Sequence, residues 1–228
     1  MENVSKTYKH RGRLVTALCQ ATIGIAKGDF VAIVGPSGSG KSTLLLMLGG
    51  MLSPSEGKVL LEGQSVYDLT ADQRARMRRR KVGFVFQTFN LVPYLSALQN
   101  VQVPLFLAGM KDHEQETRAL ALLERVGLGD RLDHKPSELS VGQQQRVALA
   151  RMLANDPAII LADEPTGNLD PETSRQIIAF LAEFNAEGRT IVMVTHDPRA
   201  AERAKRALRL CEGSVSCSEN GKDAGQAA

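Results

Sequence analysis

Short, fully apolar runs alternate with stretches of helical period along this chain, and that alternation predicts its architecture. Residues 30–34 read Phe-Val-Ala-Ile-Val and are closed by Gly35, the pattern of a strand buried on both faces. Residues 82–87, 158–162 and 190–195 have the same character. Helical patterns lie between them, at 42–48 (closed by Gly49-Gly50), 71–80, 113–126, 142–155 and 171–187. Asp170 stands where the last of these needs an N-cap, with Pro171 in its first turn. Strands alternating with helices imply an α/β fold with a mainly parallel sheet.

Two regions depart from the alternation. Residues 1–30 and 57–68 read as short strands joined by turns at Gly12, Gly28-Asp29 and Glu62-Gly63, which predicts an antiparallel sheet at one edge. Residues 89–156 contain no convincing strand and read as a mostly helical insert. The expected organisation is a single domain over 1–228. Its core with the β edge comes from 1–88 and 157–218, its helical subdomain from 89–156, and 219–228 form a polar, disordered tail.

Composition narrows the class. The chain is 43% hydrophobic but only 4% aromatic, with no Trp, so its core is built from Leu, Val, Ile and Ala. A net charge of +3 is too small to mark a nucleic-acid binder, and no nucleic-acid partner is expected. Cys19, Cys211 and Cys217 are too few and too scattered for a disulfide framework or a zinc site, so a reducing compartment is the default. The longest apolar run, residues 44–52, has nine residues and two glycines, too short to span a bilayer. The first residues lack the apolar stretch of a signal peptide. Service to a membrane would therefore go through a partner.

The chemistry concentrates at strand ends. Gly35-Pro36-Ser37-Gly38-Ser39-Gly40-Lys41-Ser42-Thr43 fits G-x-x-x-x-G-K-[ST] between an apolar strand and a helix. Its glycines let backbone N–H groups turn inward around an anion, and the helix N-terminus adds a favourable dipole. Lys41 is placed to reach β- and γ-phosphates, and the Ser42 hydroxyl to ligate Mg²⁺. A second apolar strand ends in Asp163-Glu164. An aspartate there can hold Mg²⁺, and the adjacent Glu164 can act as general base toward water. A parallel sheet gathers its carboxyl ends, so the two motifs reinforce each other.

Phosphate loops serve many activities, and Leu139-Ser140-Val141-Gly142-Gln143 discriminates among them. With it the chain resembles the ATP-binding cassette (ABC) ATPases, whose signature reads LSGGQ. Matches occur in order along essentially the whole chain: Tyr8, the phosphate loop, Gln87, the signature, Asp163-Glu164, Asn168-Leu169-Asp170 and His196. The resemblance implies a P-loop NTPase (RecA-like) core with an antiparallel β edge subdomain and a helical signature subdomain. It implies ATP and Mg²⁺ as cofactors, with adenine stacked on Tyr8 and Mg²⁺ held by Ser42, Gln87 and Asp163. Glu164, His196 and Gln87 are the implied catalytic group. Ser140, Gly142 and Gln143 would serve ATP held by a second copy, so that a homodimer makes two composite sites, while Asp170 belongs to the D-loop resemblance and is an implied nucleotide-binding residue. Tyr8 also fits a strand residue packing on the edge sheet, Gln87 a strand-end cap, and His196 a structural histidine. Val141 departs from the family's first glycine and requires a backbone open to ordinary L-residues there.

Residues 85–93 and 166–170 resemble the branch that includes lipoprotein-release, macrolide-efflux and cell-division ATPases. That implies transmembrane permease subunits as partners and a place on the cytoplasmic face of the inner membrane. Residues 89–94 would either line a groove for a permease helix or pack internally. Arg74-Ala75-Arg76-Met77-Arg78-Arg79-Arg80-Lys81 reads as a solvated helix face, with anionic lipid as the other reading. An ATPase that drives export or extraction leads the functional readings. A regulator using the same cycle without transport comes second. A nucleic-acid-associated ABC protein is disfavoured, because only 95 residues separate Thr43 from Leu139 and there is one cassette.

Overall fold

The computed structural model describes residues 1–10 and 12–218; the predicted tail at 219–228 lies outside the described residues. An antiparallel pair, β1 (Glu2–His10) and β2 (Arg13–Ala21), is followed by β3 (Phe30–Val34) and α1 (Lys41–Leu48). Three short strands come next, β4 (Glu56–Lys58), β5 (Leu60–Leu61) and β6 (Gln64–Ser65), then α2 (Ala71–Lys81) and β7 (Val82–Val85). The middle of the chain is helical: α3 (Ala97–Leu107), α4 (Asp112–Arg125) and α5 (Val141–Leu153). The last third alternates β8 (Ile159–Asp163), α6 (Pro171–Ala186), β9 (Thr190–Thr195), α7 (Pro198–Ala201), β10 (Arg206–Cys211) and β11 (Ser214–Ser218).

The main sheet has the order β11-β10-β3-β9-β8-β7, parallel except for the β11 edge. Its alternating residues feed two cores, as the two-residue period of a strand requires. Phe30, Ala32, Ile160, Ala162, Ile191 and Met193 face the helices α3–α6. Val31, Ile33, Leu161, Val192 and Val194 face α1 and the sheet β2-β1-β4. Register then places the chemistry: Val34 pairs with Thr195 and Asp163 with Val194, so the loops after β3, β8 and β9 leave the same edge.

Two expectations need correction. Strand β7 ends at Val85, so Gln87 sits in a turn two residues beyond it rather than at the strand end. The basic run is more than a solvated helix face. Arg74 donates to Leu69 O (3.0 Å), Arg78 to Gly50 O (2.9 Å) and Arg79 to Leu107 O, while Lys81 pairs with Glu62. Arg76 and Arg80 remain exposed. The backbone carbonyls at turns need donors, and these guanidinium groups supply them.

Tyr67 works with Arg78 behind the phosphate-loop helix. Its hydroxyl donates to Met47 O (2.8 Å) and Leu52 O, tying the end of α1 to the following turn, and burial pushes its pKa up to about 12. Tyr67→Phe keeps the ring but leaves those carbonyls short of a donor. It is expected to lower stability by about 1–2 kcal/mol, read as a shifted urea midpoint at unchanged m-value.

Candidate functional site

The loop between β3 and α1 is forced into its shape by glycine. Gly40 has φ +101°, and a Cβ there would lie 2.2 Å from Ala17 O, so no other residue fits without displacing β2. From this turn α1 starts at Lys41, one residue earlier than the sequence predicts. The Lys41 ammonium folds back over the loop, donating to Gly35 O (2.8 Å) and Pro36 O (3.0 Å), with Glu164 Oε1 at 3.9 Å. In front of it lies a cleft of about 530 Å³, lined by Ala17, Ser37, Gly38 and residues 40–43 from one side. Gln87, Glu164 and His196 close it from the other. The volume suits a small-molecule ligand.

The strand ends bring two carboxylates to this cleft in different settings. Asp163 Oδ1 accepts from Ser42 Oγ at 3.1 Å. Burial, opposed by that hydrogen bond and aided by the neighbouring Glu164 charge, pushes the Asp163 pKa up. The donor chemistry of Ser42, Asp163 and Gln87 is all oxygen, with one carboxylate, which fits a hard cation that shares phosphate ligands. Glu164 occupies the left-handed region at φ +45°, costly for a non-glycine residue. Its N–H donates to Val194 O (3.0 Å), and its carbonyl accepts from Gly167 N (3.1 Å). Glu164 Oε2 accepts from His196 N (3.2 Å) and from His196 Nδ1 (2.9 Å). A carboxylate only accepts, so this assigns the ring proton to Nδ1.

Gln87 and Asn168 exchange two hydrogen bonds: Gln87 Nε2 to Asn168 Oδ1 (3.4 Å) and Asn168 Nδ2 to Gln87 O (3.3 Å). Tyr8 is not packed into the edge sheet. Its ring is 39% exposed on β1, its hydroxyl lies 3.3 Å from Thr43 Oγ1, and the Lys6 ammonium sits 5.4 Å from the ring centroid.

The remaining predicted residues lie apart. Ser140 caps α5 in a reciprocal box: Ser140 Oγ accepts from Gln143 N (3.2 Å), and Gln143 Oε1 accepts from Ser140 N (2.8 Å). Val141, 47% exposed, is the first residue of that helix and has no positive φ, so its branching is tolerated. A Cβ on Gly142 would lie 2.6 Å from Thr173 Cγ2, so glycine lets the first turns of α5 and α6 touch. Asp170 caps α6, accepting from Glu172 N and Thr173 N (3.0 Å each) and from Thr173 Oγ1 (2.6 Å). The Thr173 hydrogen bonds hold the Asp170 carboxyl below the usual range. Ser140, Gly142, Gln143 and Asp170 do not line the cleft of their own chain. Sequence reasoning missed Ala17, whose small side chain carries no signal in an ordinary strand. It also missed the partnership of Gln87 with Asn168, which are 81 residues apart.

Comparison with known proteins shows the family. A family model described as ABC transporter matches residues 18–167. The macrolide export ATP-binding/permease protein MacB of Syntrophobacter fumaroxidans is 49% identical over 218 residues, covering 94% of this chain but 30% of MacB. The chain thus spans about a third of that relative's length. An ABC transporter ATP-binding protein of Thermotoga maritima is 49% identical over 88% of this chain and 86% of its own. Among solved structures, the dimeric post-hydrolysis state of the ATP-binding cassette MJ0796, bound to ADP and Pi, superposes with a TM-score of 0.90 at 45% identity, covering 97% of each chain. Among the described residues, no helix is long and apolar enough to cross a membrane. With a phosphate loop, paired strand-end carboxylates and a capped signature helix in one fold, the chain belongs to the ABC transporter family and is one of its ATP-binding cassettes, an ATPase.

Proposed function

We propose that this cassette closes as a homodimer around two ATP molecules and drives export or extraction through separate membrane subunits, from the cytoplasmic face of the membrane. The observation that carries the reading is the division of the site. The phosphate loop, Glu164 and His196 line one cleft, with Asp163 hydrogen-bonded to Ser42 at its wall, while Ser140, Gly142 and Gln143 stand outside it at a helix N-terminus. A two-fold pairing gives each cleft the signature of the other copy, and that helix end favours negative charge.

Within a cleft, Tyr8 stacks on adenine, and the N–H groups of residues 35–43 surround the phosphates. Lys41 leaves its two carbonyl partners for β- and γ-oxygens. Ser42, Asp163 and Gln87 would hold Mg²⁺, which would neutralise phosphate charge. Glu164 takes the proton of the attacking water, and His196 orients that carboxylate through Nδ1 and faces the γ-phosphate. Asp170 fixes the start of α6 against Gly142 rather than touching nucleotide within its own chain.

The helical unit 89–156 serves as the arm toward the membrane subunits. Leu91 packs inward, but Tyr94 before α3 and Phe106 and Leu107 at its far end are exposed apolar side chains that a permease helix could cover. The test is affinity purification of the tagged chain from solubilised membranes of cells that also express the neighbouring permease. Retention of that permease, with faster ATP hydrolysis than the chain alone, is expected. Recovery of the chain without any membrane subunit would contradict the reading.

A further inference from the structure

Helix α5 carries a buried side chain that the reaction scheme above does not use. Gln145 has no exposed surface, and its Nε2 donates to Pro165 O at 2.7 Å. The carbonyl is only an acceptor, so the amide orientation is fixed and Oε1 faces inward, where it finds no partner. An apolar residue of similar size would remove the orphaned oxygen but would also take the donor from Pro165 O, so what the amide supplies at this position is that one bond. Its placement accounts for it. Pro165 directly follows Glu164, whose left-handed backbone persists only when its surroundings hold it. Proline has no N–H of its own, so the Pro165 carbonyl is the backbone hydrogen-bonding group by which that residue can be anchored. Six residues further along α5, Arg151 donates to Phe89 O and Asn90 O (2.6 Å each), both residues in the left-handed region. One rigid helix therefore holds the turn after Glu164 near one end and the segment after Gln87 near the other.

We infer that Gln145 is a positioning residue for hydrolysis: it ties the signature helix to the turn that aims Glu164 in the same chain. The inference rests on the dimer reading above in one respect. If the helix N-terminus meets ATP on the other copy, Gln145 passes the state of that site to its own Glu164. Movement of α5 lengthens or shortens the bond to Pro165, and with it the reach of the carboxylate.

The test is Gln145→Leu in the full chain, assayed for steady-state ATP hydrolysis with Mg²⁺ and for thermal unfolding. The expected result is a kcat lower by about tenfold with KM for ATP within about twofold, because aim is lost while the phosphate seat is not. The melting temperature should stay within a few degrees. A kcat equal to that of the unaltered chain overturns the inference, and so does a fall in kcat matched by a rise in KM. If the Leu variant fails to fold, Gln145→Met is read by the same criteria; failure of both to fold makes Gln145 a folding determinant and also overturns it. Glu164→Gln run in parallel separates the two levels. A fast Glu164→Gln chain removes Glu164 as the base, whereas a slow one beside an unimpaired Gln145→Leu chain removes only the role of Gln145.

Discussion

Glu164→Gln is expected to leave ATP bound and to slow its hydrolysis by about 10²–10⁴-fold. The amide keeps the size of the carboxylate, and its carbonyl oxygen still accepts from His196 N and Nδ1, so the geometry of the loop survives. What is lost is the lone pair that takes a proton from water. Glu164 is 14% exposed, the neighbouring Asp163 is occupied by Ser42, and His196, the other base in the cleft lining, is engaged with Glu164 through Nδ1. Single-turnover hydrolysis by purified protein at saturating Mg-ATP reads the effect. Turnover within about threefold of the unaltered chain would remove Glu164 as the base.

Lys41→Ala is expected to weaken ATP binding by about 10²-fold or more, because two charge-assisted hydrogen bonds to phosphate are each worth ~1.5–3 kcal/mol. The ammonium is held by two neutral carbonyls, Gly35 O and Pro36 O, with the Glu164 carboxylate at 3.9 Å. Phosphate offers charged acceptors in their place, so the exchange favours binding. The alanine side chain leaves the glycine turn at Gly40 intact, and the loss should appear in affinity before stability. Equilibrium titration with a fluorescent ATP analogue reads it; an unchanged dissociation constant would contradict the assignment of the loop.

The parts of this site legible in the sequence are those whose backbone geometry dictates residue type. The phosphate loop needs glycine at 40 because Ala17 O comes within 2.2 Å of a Cβ there, and Asp163-Glu164 ends a strand apolar enough to be recognised. The helix over 171–187 was readable from its cap, since Asp170 does accept from the first-turn N–H groups. Other parts depend on distant carbonyls, which carry no side-chain signature. Arg78 and Arg79 look like any charged residues until Gly50 O and Leu107 O are seen beside them. Gln145 stands in a run of three glutamines, and only the fold separates the buried one from its neighbours. Strands β10 and β11 carry a weak signal, because only Leu208 and Leu210 alternate in the first and the second, Ser-Val-Ser-Cys-Ser, is mostly small and polar. Helix α3 is masked in the sequence by Pro104 inside it, although Ser96 and Gln99 form a capping box at its start.

The central claim is that one chain holds only half of each working ATP site. Light scattering of the Glu164→Gln chain, without and with saturating Mg-ATP, tests it most directly. A doubling of the 24.7 kDa monomer mass that requires ATP is the predicted result. A chain that binds ATP with full affinity and remains at monomer mass would contradict it.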